Sequence, residues 1–168
     1  MNRRLLALMV AALAVTLVAC ETDVPTAKER EELTPRVHTF LVQLAEAYTK
    51  MDTAPLEGIA SPRMMSSVAE NIDLLRASGD RLEPKLVSEE ITSLKVLRHA
   101  NAVISVTEVW DTKRFDANTG QLIGHDKDTT LHSHIQLKLV KGQWMVLYRV
   151  VDETSRGPRL ILPTPKPE

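Results

Sequence analysis

The chain has 168 residues, of which 21 are basic and 22 acidic, and it contains one cysteine. A chain of this length fits one domain with a core of its own. A near-neutral charge without basic blocks gives no electrostatic reason to expect nucleic-acid binding or attraction to anionic lipid. A single cysteine excludes an internal disulfide, so the core must stabilise the fold unaided.

The first twenty residues have the pattern of a secretory signal. Asn2-Arg3-Arg4 is basic, residues 5–18 are apolar, and Leu17-Val18-Ala19-Cys20 ends the run with small residues. A basic start, an apolar run and a small-residue cleavage site define a signal peptide. The Leu17–Cys20 ending also resembles the lipobox of bacterial lipoproteins, which implies that Cys20 is acylated and becomes the new N-terminus. We therefore expect residues 1–19 to be removed.

Such a protein is expected on the cell membrane or the outer membrane, anchored by lipid and facing the extracytoplasmic side. Two alternatives remain for this segment. A membrane-spanning anchor needs about 20 apolar residues, and this run is shorter and broken by Thr16. Plain secretion would leave a free cysteine in an oxidising compartment.

After a predicted tether at 20–25, the chain has the pattern of two amphipathic helices. Thr26 with Glu29 fits a capping box, and Thr34-Pro35 offers a second helix start. The apolar residues that follow recur at spacings of three and four: Val37, Phe40, Leu41, Leu44, Tyr48 and Met51.

A second helix is predicted to begin at Ser61-Pro62, after an interruption at 52–60, and to end at Gly79. Its buried stripe is predicted to consist of Met64, Met65, Val68, Ile72 and Leu75.

The second half of the chain has the alternating pattern of strands. Strands are predicted at 85–98, 102–114, 127–140 and 143–152, with a bulge near Glu89-Glu90. Turns are predicted at His99-Ala100-Asn101, Asp116–Gly120 and Lys141-Gly142. In the last strand, Trp144, Val146, Tyr148 and Val150 are expected on one side.

The predicted domain spans 26–153, and residues 154–168 form a proline-rich tail. Alternating prolines favour an extended backbone that cannot pair inside a sheet. The tail is therefore expected to be a frayed end. The alternative is that Leu160-Ile161-Leu162 packs on the domain or adds to a sheet edge.

Two helices followed by long antiparallel strands resemble the NTF2-like superfamily, a cone-shaped α+β barrel, over Thr26 to Glu153. The resemblance is carried by the 102–110 strand and by Lys141–Val146, where a turn glycine precedes a tryptophan. Within that superfamily, the chain is similar to the domain that plastid-division proteins and their bacterial relatives place outside a membrane. The resemblance implies an α+β fold in which N-terminal helices pack on a curved, mainly antiparallel sheet.

The enzymes of this superfamily keep a general base and hydrogen-bond donors inside the cone. A ketosteroid-isomerase-like site has an aspartate base opposite a tyrosine donor. Here Tyr148 is expected to face a pocket with Trp110 and Glu108, unless these residues are ordinary sheet packing. An isomerase- or dehydratase-type enzyme with Glu108 or Asp111 as base is therefore the alternative function. An acidic side chain deep in an apolar cavity would favour it.

Histidines offer the one candidate metal site. His132 and His134 are two residues apart and so share one face of a strand, and His125, Asp126 or Asp128 would supply further ligands. A solvated polar face is the favoured interpretation, because a metal needs three or four ligands. The sequence contains no phosphate-binding glycine loop and no nucleophile-elbow motif, so no cofactor is expected.

The leading hypothesis is a lipid-anchored binding or interaction module without catalytic activity. It would bind a small apolar ligand or a protein partner. The resemblance implies a homodimer through the sheet, which is common in that superfamily. Trp110, Trp144 and Tyr148 are the candidate pocket or interface residues. The resemblance also implies a role in envelope or cell-division assembly.

Overall fold

A four-stranded antiparallel meander carries two helices on one face in the computed structural model, which describes residues 24–155 and 159–160. The helical elements are α1 (Ala27–Lys50), a short 3₁₀ helix (Ala54–Leu56) and α2 (Pro62–Ser78). The strands are β1 (Asp80–Leu97), β2 (Asn101–Asp116), β3 (Leu122–Val140), β4 (Gln143–Ser155) and β5 (Arg159–Leu160). The α+β fold class with helices on a curved antiparallel sheet is thereby confirmed.

Helix α1 begins at the predicted capping box and continues without a break. The Thr26 hydroxyl accepts from the Glu29 backbone, and the Glu29 carboxylate accepts from the Thr26 backbone at 2.7 Å. The predicted second start at Thr34-Pro35 is wrong, because Pro35 lies inside the helix. A proline there costs about 3 kcal/mol in a helix interior. Burial of the apolar residues on both sides of Pro35, Leu33 before it and Val37, Phe40 and Leu41 after it, offsets that cost.

Helix α2 begins and ends as predicted. Ser61 caps it by accepting a hydrogen bond from Met64 N at 3.2 Å. Gly79 ends it with φ at 72°, a left-handed conformation that glycine adopts without a side-chain clash. Met64, Val68 and Ile72 are its buried residues.

All four long strands are longer than predicted, and the bulges of β1 lie elsewhere. β1 begins at Asp80 rather than at residue 85 and passes through Pro84. A proline is tolerated there because β1 is an edge strand, whose open side needs no backbone donor. The register shifts lie at Val87 and Thr92, not at Glu89-Glu90. β3 begins at Leu122 rather than at 127.

The core lies between the helices and the inner face of the sheet. Alternate residues of β2 point inward and are buried: Ala102, Ile104, Val106, Glu108 and Trp110. They meet the buried stripe of α1, which consists of Leu33, Val37, Phe40, Leu41, Leu44 and Ala47. The helices therefore cover the middle of the inner face of the sheet. The candidate site lies at one end of this covered region.

The predicted signal peptide, Cys20 and most of the predicted tether lie outside the described residues. At the other end, β4 continues to Ser155, beyond the predicted boundary of the domain, and Arg159–Leu160 pairs with His125 and Asp126 of β3. The rest of the tail also lies outside the described residues. Within the described part, no helix is both long enough and apolar enough to cross a membrane.

Candidate ligand-binding cavity

A cavity of about 500 Å³ lies between the C-terminal half of α1 and the inner face of the sheet. This volume falls within the range of about 300–1,000 Å³ that small-molecule sites occupy. Its walls come from α1 and all four long strands: Leu44, Ala45, Tyr48, Leu82, Pro84, Trp110, Thr112, Arg114, Asp126, Thr129, Leu131 and Arg149. The lining is mainly apolar, with a few polar groups that converge from different strands.

A buried ion pair anchors one wall of the cavity. Glu108 is fully buried, and its carboxylate accepts from Arg149 Nε at 2.9 Å and from Arg149 Nη2 at 2.5 Å. It also accepts from Trp110 Nε1 at 2.7 Å and from the Ser133 hydroxyl. Buried charges are tolerated when they are paired and hydrogen-bonded in this way. Both carboxylate oxygens are therefore occupied by protein donors.

A β-bulge at Leu147 decides which residue of β4 completes this wall. Gln136 pairs with Tyr148, but the next residue of β3, Leu137, pairs with Val146. One extra residue reverses the inward and outward positions beyond it. Arg149 consequently points into the cavity, and Tyr148 points outward with 40% of its surface exposed. The expectation that Tyr148 faces a pocket with Trp110 and Glu108 is wrong.

Three side chains of the cavity wall carry hydrogen-bond donors. The Thr129 hydroxyl is buried and has no hydrogen-bond partner within the described part of the chain. Tyr48 accepts a long bond from Asn71 at 3.4 Å, which leaves its own O–H free to donate. Burial raises the pKa of Tyr48, so this hydroxyl stays protonated at neutral pH. Arg149 also lines the cavity, and it donates to Glu108 through Nε and Nη2.

The far end of the cavity is fixed by a second ion pair. Arg114 of β2 donates to the Asp80 carboxylate, which also accepts from the Ser78 hydroxyl at 2.7 Å. This contact joins the start of β1 to β2 below the end of α2. The hydrogen bond from Arg114 is the main reason why the pKa of Asp80 lies below its usual 3.8.

Asp80 should make the stability of the domain acid-sensitive. Because its pKa is lower in the folded than in the unfolded chain, its contribution is fully present above about pH 5 and is lost as the pH falls through the folded pKa. We expect urea denaturation between pH 5 and pH 2.5 to show a smaller loss of unfolding free energy in Asp80→Asn than in the wild type. Equal losses in the two proteins would contradict the assignment.

The other predicted site residues lie apart from the cavity. Trp144 is buried at the opposite end of the domain, where its Nε1 donates to Glu32 at 3.2 Å. It is a core residue, whereas Trp110 does line the cavity. Asp111 is adjacent to Trp110 and so points to the opposite face, where it pairs with His125.

The two histidines of the candidate metal site are engaged on the outer face of the sheet. His132 contacts the Thr107 hydroxyl at 3.1 Å, and His134 contacts the Ser105 hydroxyl at 2.9 Å and Asp152 at 2.6 Å. Within residues 24–155 and 159–160, no three His, Cys, Asp or Glu side chains are grouped as a metal would need.

Arg149, Tyr48 and Thr129 line the cavity but are not among the site residues predicted from the sequence. Tyr48 had a visible signal, because it is the single polar-tipped residue near the C-terminal end of the α1 stripe. No sequence pattern could have indicated Arg149, since its inward position depends on the bulge at Leu147. The position of Thr129 likewise depends on a bulge, because β3 has one extra residue at Lys127-Asp128 relative to β2.

The fold and the cavity define a class of small α+β domains in which helices close over a concave antiparallel sheet. The intermembrane space region of the chloroplast protein ARC6 has the same fold, with a TM-score of 0.59 and 13% identity over 77% of this chain and 98% of that chain. The expected similarity to a plastid protein domain that lies outside a membrane is thereby confirmed for the fold.

Two other similar structures are more distant. One is an NTF-2 like protein of unknown function from Silicibacter pomeroyi, with a TM-score of 0.46 and 15% identity over 77% of this chain and 100% of that chain. The other, from Nostoc punctiforme, has a cystatin-like fold, a TM-score of 0.42 and 10% identity over 75% of this chain and 91% of that chain. No protein-family model and no curated protein matches the chain.

Proposed function

We propose that this protein is a lipid-anchored extracytoplasmic binding module that holds a small, mainly apolar ligand in the cavity under α1. The observation that carries the proposal is the cavity itself, which has a mainly apolar lining and a few polar side chains that converge from different elements. A largely preformed apolar pocket with a few convergent polar groups is typical of a small-molecule site. The fold alone would not support this proposal, because one fold serves many functions.

The polar groups favour a ligand that carries a hydrogen-bond acceptor. Tyr48, Thr129 and Arg149, whose side chains carry hydrogen-bond donors, all line the same cavity. The Thr129 hydroxyl is buried without a partner in the described part of the chain, which costs about 1–3 kcal/mol, and a ligand oxygen that bonded to it would remove that cost. The apolar part of such a ligand would contact Leu44, Leu82 and Leu131.

Neither carboxylate predicted as a catalytic base is placed to act on a ligand in the cavity. Glu108 is buried beside the cavity, and four donor contacts occupy its carboxylate. A general base needs a free oxygen within hydrogen-bond reach of the substrate. Asp111, the second candidate base, lies on the outer face with His125. The role in envelope or cell-division assembly stays a prediction from the sequence resemblance, and co-purification with a division complex is its test.

Filling the cavity should abolish ligand binding without unfolding the domain. Ala45 lines the cavity on α1, and an indole at this position would occupy the space where a ligand lies. We expect Ala45→Trp to lower the affinity for the neutral apolar dye N-phenyl-1-naphthylamine at least about tenfold, since that factor corresponds to the loss of about 1.4 kcal/mol of binding energy.

The matched control is Ala77→Trp, an alanine-to-tryptophan change at an exposed position of α2. It should leave the dye affinity unchanged, and circular dichroism should show both variants folded. Equal dye binding by the wild type and Ala45→Trp would contradict a ligand site in this cavity. Turnover of a small ketone or enol substrate that is lost in Glu108→Gln would favour the enzyme alternative.

A further inference from the structure

The charges of this sheet are separated along its strands. No Asp or Glu occurs at 91–107 or 132–148, the segments that form the β1–β2 and β3–β4 hairpin ends. The other half of the sheet, residues 80–90 and 108–131, contains nine acidic and five basic residues. The acid-free segments carry four exposed cations, which we call the basic edge: Lys95, Arg98, Lys138 and Lys141.

The two hairpin ends lie side by side, so the four cations belong to one surface. Asn101, at the start of β2, pairs with Lys138 near the end of β3. The Leu139 N–H donates to the Ala100 carbonyl at 2.8 Å, which joins the β1–β2 turn to the end of β3. No carboxylate lies within salt-bridge distance of these cations in the described part of the chain. Their charges are therefore available to a partner.

The basic edge lies at the end of the domain where the tether begins. Glu29, in the first turn of α1, contacts His99 of the β1–β2 turn at 2.9 Å. One turn later, Glu32 accepts from Trp144 at the start of β4. Cys20 precedes the helix cap Thr26 by six residues, which span at most about 20 Å at roughly 3.3 Å per residue.

We propose that the basic edge docks on the anionic phospholipid headgroups of the membrane in which Cys20 is anchored. The proposal rests on the lipid anchor of the proposed function, which keeps this surface close to the bilayer. Each Lys or Arg near an anionic membrane surface strengthens binding about fivefold. The whole-chain charge gave no reason to expect attraction to anionic lipid, but within the sheet the exposed cations of the acid-free segments lie at one end and most of the acidic residues lie toward the other.

Docking in this way sets the orientation of the cavity. Tyr48 near the end of α1, Leu82 near the start of β1 and Arg114 near the end of β2 line it. These residues lie at the opposite end of the domain from the basic edge. Docking would therefore hold this part of the cavity away from the bilayer, on the side of the extracytoplasmic solution.

The test uses the mature chain, residues 20–168, with Cys20→Ser, so that no acyl chain contributes to binding. We expect it to float with phosphatidylcholine vesicles that contain about 30 mol% phosphatidylglycerol and not with vesicles of phosphatidylcholine alone. Raising the salt from about 0.1 to about 0.5 M NaCl should release it, because screening becomes stronger. Equal flotation with both kinds of vesicle, or with neither, would overturn the proposal.

A pair of matched variants tests the surface itself. Lys95→Glu/Lys138→Glu reverses two exposed strand lysines of the basic edge, and Lys113→Glu/Lys127→Glu reverses two exposed strand lysines at the opposite end. We expect the first to bind the anionic vesicles at least about 25-fold more weakly, about fivefold for each cation removed, and the second to bind like the parent chain. Equal losses in the two variants would overturn the assignment to this edge.

Acylation of Cys20 is measured separately, by mass spectrometry of the full chain expressed with its signal. Failure of the vesicle experiment with an acylated Cys20 would leave the anchor intact and remove only the docking surface. An unacylated Cys20 together with intact vesicle binding would contradict the lipid anchor and still support the basic edge as a docking surface.

Discussion

Replacing Arg149 with methionine is expected to lower the free energy of unfolding by about 3–5 kcal/mol, the usual cost of breaking a buried ion pair by removing one partner. The Glu108 carboxylate is fully buried and receives two of its hydrogen bonds from Arg149. Without the guanidinium, that carboxylate would be buried without a counter-charge. Trp110 and Ser133 would remain as donors, but neither supplies a positive charge.

A compensating variant separates this charge effect from lost packing. Glu108→Gln/Arg149→Met removes both charges and keeps an amide oxygen that can accept from Trp110 or Ser133. Replacing a whole buried pair is often close to neutral, so the double variant should recover more than half of the loss. Urea denaturation measures all three proteins. If Arg149→Met lowers the free energy of unfolding by less than about 1 kcal/mol, the pair contributes no more than a surface salt bridge does. That result would contradict the buried geometry described for it.

Replacing Cys20 with serine is expected to move nearly all of the protein from the membrane fraction to the soluble fraction. Each buried methylene contributes about 0.8 kcal/mol to membrane binding, so two or three acyl chains give a stable anchor. A serine at this position cannot be acylated through a thioether. The basic edge alone would give only weak and salt-sensitive attachment.

Fractionation of cells followed by immunoblotting measures this effect, and incorporation of labelled palmitate should be lost in parallel. Thr22→Ser, two residues away in the tether, is the matched control and should stay in the membrane fraction. Cys20→Ser protein that remains in the membrane after a high-salt wash would contradict the lipoprotein prediction. Protein that is released by that wash would instead reflect the basic edge.

Much of the fold was predictable because its elements depend on local chemistry. The capping box at Thr26, the Ser61-Pro62 start and the Gly79 end each reflect interactions within one turn of chain. The alternation of β2 from Ala102 to Trp110 likewise follows from one face being buried. The error at Thr34-Pro35 has a tertiary cause, because packing of Leu33 on the core holds the helix together through a proline.

The cavity was less predictable, because its polar residues are placed by irregularities of the sheet. Trp110 was identified as an aromatic residue on the inner face. Arg149 and Thr129 were not, since a bulge adds one residue to a strand and leaves no mark in its alternating pattern. The basic edge was invisible for a different reason: its four cations come from segments about forty residues apart, and only the meander brings the two turns together.

The bulge at Leu147 also determines how this chain should be compared with its relatives. Consider a relative that lacks the extra residue. To keep the same cavity, its equivalent of Arg149 would have to lie one position closer in sequence to the tryptophan that corresponds to Trp144. A gap-free alignment would then match that cation with Tyr148, and the cavity arginine would look unconserved. Alignments of such domains therefore need a one-residue gap in the last long strand before the columns for Arg149 and Glu108 can be compared.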